Sequence, residues 1–138
     1  MAADTPVVAR VIVLTLSYPP SVNTLWRNII VKGKPRTLLS AAGRAYRLQV
    51  AAMAILIGAV DNHLPGAFSV SIMLYPPDKR RRDIDNPVKA ILDGLTYAGI
   101  WEDDSQVDVL MVQRCAPEKP GRAVVTLRHG SDHGVHDA

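Results

Sequence analysis

The chain reads as an α+β domain: a small mixed or antiparallel sheet with two main helices packed on it. Three observations carry that reading. In residues 68–75, Phe68, Val70, Ile72 and Leu74 alternate with Ser69, Ser71, Met73 and Tyr75, the pattern of a half-buried strand. Residues 40–59 and 86–97 repeat their apolar side chains at helical spacing. Residues 7–16, 107–114 and 122–128 are rich in β-branched and aliphatic residues and read as further strands.

In chain order, residues 7–16 form a largely buried strand that Pro19 and Pro20 end. Residues 26–38 resemble a hairpin turning at Lys32-Gly33-Lys34-Pro35. Ser40 can cap a helix reaching about Ala59, with Ala45, Leu48, Ala52, Ile55 and Ala59 as its expected buried stripe and Arg44 and Arg47 off it. In the next strand Phe68, Val70, Ile72 and Leu74 face inward. The second helix is expected to have Asn86 as N-cap and Pro87 at the first helical position, where a missing N–H costs nothing. Val88, Ile91, Leu92 and Leu95 form its buried face, and Gly99 with Ile100 makes a Schellman-type stop. The last two strands are joined by a turn through Pro117 and Pro120-Gly121. Residues 1–128 then make one domain, and 129–138, which carries three histidines, is expected to be a disordered tail.

Of the 138 residues, 48% are hydrophobic and 21% charged, enough apolar content for a core and too much for a chain disordered throughout. The single cysteine, Cys115, excludes an intrachain disulfide and suits a reducing compartment. No basic segment followed by an apolar core opens the chain, and the longest apolar stretch, 50–60, falls short of the ~20 residues a bilayer requires. A cytoplasmic protein with no membrane association and no nucleotide cofactor is expected.

Charge is unevenly spread. Residues 1–60 hold seven basic side chains, Arg27, Lys32, Lys34 and Arg36 among them, against the single acid Asp4. Lys79, Arg80, Arg81 and Arg82 follow as an unbroken basic run. Residues 83–108 then hold seven acids against one base, Lys89. A polyanion such as DNA can be held by the first two regions while the acids gather cations. Chance clustering on a solvated surface is the plainer account of the same pattern.

Asp83-Ile84-Asp85 lies directly behind the basic run. In an extended backbone, residues two apart point the same way, so both carboxylates would share one side, roughly 7 Å apart along the strand. Mg²⁺ takes hard oxygen ligands and keeps several waters, so two or three carboxylates are a fitting protein contribution. Acids just before a helix also cap its free N–H groups, which is the structural alternative. Metal chemistry is favoured by the four basic residues upstream, by Lys89 one turn into the helix, and by the acidic cluster Glu102-Asp103-Asp104 beyond it. Packed carboxylates repel unless a cation neutralises them.

Arg80-Arg81-Arg82-Asp83-Ile84-Asp85-Asn86, then Lys89, Asp93 and the stretch from Ala98-Gly99-Ile100-Trp101 through Glu102-Asp103-Asp104-Ser105-Gln106-Val107, resembles the RusA family of Holliday-junction resolvases. Pro19-Pro20-Ser21-Val22-Asn23 and the stretch 39–47 are similar to it as well, so the likeness covers nearly the whole domain. The resemblance implies a homodimeric, Mg²⁺-dependent endodeoxyribonuclease that nicks four-way DNA junctions symmetrically. It implies Asp83, Asp85 and Asp104 as metal-binding carboxylates, Lys89 as a catalytic lysine and Arg82 as a residue handling DNA. Because Asp103 adjoins Asp104, the match there can slip by one. A nuclease for other branched DNA, or a DNA-binding accessory protein with purely structural acids, are the competing readings.

Overall fold

The computed structural model describes residues 10–21, 26–59 and 63–130, with backbone alone for residues 26–28, 36 and 37. The elements are β1 (Arg10–Ser17), β2 (Trp26–Val31), β3 (Lys34–Leu39), α1 (Ala41–Leu56), β4 (Phe68–Tyr75), α2 (Asn86–Tyr97), a 3-10 turn (Asp104–Gln106), β5 (Val107–Arg114) and β6 (Arg122–His129). Two helices and a mixed sheet make the expected α+β architecture. Four strands pair in the order β1-β6-β4-β5, with β5 parallel to β4 and the other pairs antiparallel. Strands β2 and β3 form a separate hairpin through Lys32 and Gly33, whose positive φ values of 52° and 76° suit a two-residue turn of the primed kind.

The last two strands do not pair with each other, because β4 lies between them. Their connection passes the end of β4, where Leu74 O accepts from Cys115 N and Pro76 O accepts from Glu118 N. Gly121 closes that passage at φ +95°. A Cβ there would come within 2.9 Å of Tyr18 Cβ, so no larger residue fits.

Inward side chains of β1, β4 and β6 meet the two helices in one core that includes Leu14, Phe68, Ile72, Ile91, Leu95, Trp101 and Val125. The alternation in β4 is as expected, with Phe68, Val70, Ile72 and Leu74 all buried. Phe68 meets Trp101 edge to face, with ring centroids 5.1 Å apart.

Helix α1 begins as expected, with Ser40 Oγ accepting from Gly43 N, but it buries a different face. Gly43, Tyr46, Val50 and Ala54 face the core, while Leu48 and Ile55 are 60% and 62% exposed. Close approach decides this: a Cβ on Gly94 of α2 would lie 2.8 Å from Val50 Cγ2. The helices therefore cross where their side chains are small, and Arg47 bonds Asp93 across the crossing at 3.1 Å.

Helix α2 starts one residue earlier than expected. Asp85 is its N-cap and Asn86 its first residue, so Pro87 takes the second position, where its missing N–H is equally harmless. Its far end is the predicted Schellman stop. Gly99 has φ 79°, Ile100 N donates to Leu95 O, and Gly99 N donates to Thr96 O. Strand β6 includes His129, so the expected tail boundary moves past that residue; residues 131–138 lie outside the described residues. No described helix is long and apolar enough to cross a membrane.

Candidate active site

The basic run leaves β4 as an irregular loop wound around one ion pair. Arg82 Nη1 lies 2.7 Å from Asp78 Oδ1 and also donates to the Asp78 and Arg80 carbonyls. Arg80 N donates to the same Asp78 oxygen. The hydrogen bond from Arg82, followed by that from Arg80 N, pulls the Asp78 carboxyl down to about 2. Arg82 also lies over the Tyr18 ring, and Arg114 donates to the Arg82 carbonyl. Arg82 thus braces the loop from within, while Arg80 and Arg81 are exposed at its surface.

Arg80, Arg81 and Arg82 line a cleft of about 600 Å³ together with Tyr18, Asp83 and Asn86. Prolines 19, 20, 77, 87 and 120 supply much of the rest of its wall. A proline wall has little conformational freedom to lose when a ligand enters.

Beyond Asp83 the chain bends at Ile84 and Asp85 and enters α2, with Asp85 already in the right-handed helical region at φ −83° and ψ −24°. The expected extended Asp-x-Asp is therefore absent, so strand alternation does not set the directions of its two carboxylates. Asp83 lines the arginine cleft, whereas Asp85 lines a neighbouring hollow of about 350 Å³. Lys89, Asp104, Ile84, Val88, Leu92, Leu110 and Val112 complete that hollow. Lys89 sits one helical turn after Asp85, which places both on one side of α2. Asp104 comes from another element, the start of the turn that feeds β5.

Capping distinguishes the acids. Asp85 holds the N-cap position of α2 but makes no side-chain capping bond. Asp103 does cap: its carboxylate accepts from Ser105 N at 3.1 Å and lies below the ordinary carboxylate range because of its hydrogen bonds with Ser105. Asp103 is thus committed to the backbone of its own loop, and Asp104 is the acid that faces the hollow.

No group of three His, Cys, Asp or Glu among the described residues converges to hold a metal ion on protein ligands alone. The site is a carboxylate pair, Asp85 and Asp104, with Asp83 next door. Mg²⁺ is commonly held by one or two carboxylates, with waters and substrate phosphate oxygens completing its shell, so this donor set fits it.

Of the other basic residues expected to meet DNA, Lys79 is exposed beside the cleft without lining it, and Lys32 and Lys34 are exposed at the hairpin turn. The side chains of Arg27 and Arg36 lie outside the described residues. Sequence reasoning gave no role to Tyr18, Asp78 or Gln106. Only Gln106 carries a local signal, the Asp-x-x-Gln spacing of a capping box from Asp103.

The family model described as Endodeoxyribonuclease RusA matches residues 17–128. The crossover junction endodeoxyribonuclease RusA of Escherichia coli (strain K12) is 40% identical over 114 residues, covering 83% of this chain and 91% of that protein. The same identity and coverage relate the chain to the enzymes of that name from Enterobacteria phage 82 and Shigella sonnei (strain Ss046). With the family model spanning most of the fold and relatives this similar along nearly their whole length, the chain belongs to the RusA family of endodeoxyribonucleases.

Proposed function

We propose that the protein is a Mg²⁺-dependent endonuclease that resolves four-way (Holliday) DNA junctions by paired, symmetric nicks. One observation carries the reading: two acids and a lysine, Asp85, Asp104 and Lys89, share a hollow beside an arginine-lined cleft. Carboxylates for a cation and guanidinium groups for phosphate are the two needs of phosphodiester hydrolysis. The names of the relatives, crossover junction endodeoxyribonucleases, supply the DNA substrate class.

Asp85 and Asp104 would hold the ion, with Asp83 at the border between hollow and cleft. When bound, Mg²⁺ neutralises charge on the phosphoryl oxygens and lowers the pKa of water. The protein's own groups do the rest. Arg80 and Arg81 grip the backbone on the cleft side, and Arg82 keeps their loop in shape. Lys89 offers its ammonium to negative charge developing on the scissile phosphate. The hollow's apolar wall, from Ile84, Val88, Leu92, Leu110 and Val112, lowers the local dielectric and strengthens these interactions.

Two opposed nicks call for two active sites, and a two-fold assembly matches the pseudo-two-fold junction. Edge strand β5 supports a second copy, because Val109, Leu110 and Met111 are 48%, 45% and 54% exposed. An apolar edge strand is a template for pairing with another chain.

Asp85→Asn tests the site. The variant should bind a junction as the parent does and lose cleavage by about 100-fold or more, as expected when a metal carboxylate is neutralised. Undiminished cleavage would remove Asp85 from the metal site.

A further inference from the structure

One side-chain amide makes four hydrogen bonds at the acidic loop, beyond the Asp103 cap within it. Gln106 Oε1 accepts from Glu102 N at 2.9 Å and from Asp103 N at 3.2 Å. Gln106 Nε2 donates to Leu64 O and to Gly66 O, both at 2.8 Å. The amide thus uses two acceptor and two donor directions at once, the full capacity of a glutamine. It joins the loop carrying Asp104 to a segment some forty residues away that leads into β4.

The anchoring continues on both sides of the clamp. Leu64 N donates to Ile100 O and His63 N donates to Gly99 O, which ties the 63–66 segment to the end of α2. Trp101, fully buried, donates from Nε1 to Thr96 Oγ1 at 2.7 Å and fixes the residue before the acidic stretch. Between these anchors, Asp104 itself is exposed and lines the hollow. With little packed around its carboxylate, the point from which Asp104 reaches into the hollow is set by the backbone on which it stands.

We infer that Gln106 is the positioning residue for Asp104, holding its carboxylate toward Asp85 so that the pair offers one cation a fixed set of oxygens. The inference rests on the reading of Asp104 as a metal carboxylate. Gln106 touches neither cation nor DNA. It acts by preventing the 102–104 backbone from turning Asp104 away from the hollow. Removing a group hydrogen-bonded to a metal ligand ordinarily costs about 10–100-fold in metal affinity, and Gln106 acts one step further out, through the backbone.

The test uses Gln106→Met, which keeps length and removes all four bonds, and Gln106→Glu, which can still accept from the Glu102 and Asp103 amides but cannot donate to the two carbonyls. Asp104→Asn is the control. Mn²⁺ binding to the full chain without DNA is followed by the loss of the free-ion electron paramagnetic resonance signal. Junction cleavage is measured across a Mg²⁺ titration, junction binding in chelator, and folding by thermal melting.

Both Gln106 variants should need about tenfold or more additional Mn²⁺ and Mg²⁺ for half-saturation. Cleavage should recover toward the parent rate at high Mg²⁺, and binding in chelator should be unchanged. Equal loss of rate at every Mg²⁺ concentration, with half-saturation unmoved, would overturn the inference and leave Gln106 merely structural. Parent-like metal binding in both variants would overturn it too. If Asp104→Asn binds Mn²⁺ and cuts as the parent does, the metal reading of Asp104 fails first, and the positioning role falls with it.

Discussion

Adjacent aspartates in the acidic loop have different duties. Asp103 spends its carboxylate on Ser105 N, while Asp104 faces the hollow shared with Asp85 and Lys89. Asparagine caps nearly as well as aspartate. Asp103→Asn should therefore keep cleavage within a few-fold of the parent, whereas Asp104→Asn should lose about 100-fold or more at limiting Mg²⁺. Parallel single-turnover assays of the two variants check this, and the reverse order would move the metal carboxylate to Asp103. The arginines divide in the same manner, since Arg82 is engaged with Asp78 while Arg80 and Arg81 lie on the exposed side of the loop. Replacing both Arg80 and Arg81 with alanine should lower the slope of log affinity against log salt by about 0.9 for each lost phosphate contact. An unchanged slope in a filter-binding titration would place the DNA elsewhere.

At the scale of elements, the crossing of α1 over α2 sets the direction in which α2 presents Asp85 and Lys89. The crossing is tight because Gly94 lies against Val50, which is fully buried and has nowhere to swing. Gly94→Ala gains about 1 kcal/mol of helix propensity but adds a methyl group to a full contact, at a cost of about 1–3 kcal/mol. The net expectation is a loss of up to about 2 kcal/mol, read as a lower midpoint in a urea melt. The same contact explains which parts of the fold were legible in the sequence. The alternation of β4 and both ends of α2 depend on neighbours in the chain, and they were read nearly residue by residue. Helix α1 carries two apolar stripes, Gly43-Tyr46-Val50-Ala54 and Ala45-Leu48-Ala52-Ile55, and spacing alone does not choose between them. Packing chose the one that sets Val50 against Gly94, where α2 comes close. The insertion of β4 between β5 and β6 was likewise invisible, since strand order is a long-range property. In the site, Asp83, Asp85 and Lys89 stood out by their spacing and Asp104 by the family resemblance, but the bend at Ile84 and Asp85 was not foreseen. The Gln106 clamp was hidden because half of its partners lie in a loop distant in sequence.

For the whole molecule, the α1 stripe and strand β5 leave apolar side chains exposed that no described element covers. Strand β5 adjoins the hollow through Leu110 and Val112, so a second copy paired there would set two active sites in a fixed relation. Lysine at both Val109 and Met111, neither of which lines the hollow, should turn a dimer into a monomer in sedimentation velocity and leave the thermal melt of the fold nearly unchanged. A parent chain that sediments as a monomer at every concentration would remove the paired-nick mechanism. Two sites related in that way would select a junction by the geometry of its phosphates more than by base contacts.

The most direct measurement offers the parent and Asp85→Asn a labelled four-way junction and a linear duplex of matching sequence, with Mg²⁺ and with chelator. The parent should cut the junction at symmetric positions only with Mg²⁺ and leave the duplex intact, and Asp85→Asn should bind the junction without cutting it. Equal cutting of the duplex, cleavage in chelator, or full activity of Asp85→Asn would contradict the proposed function.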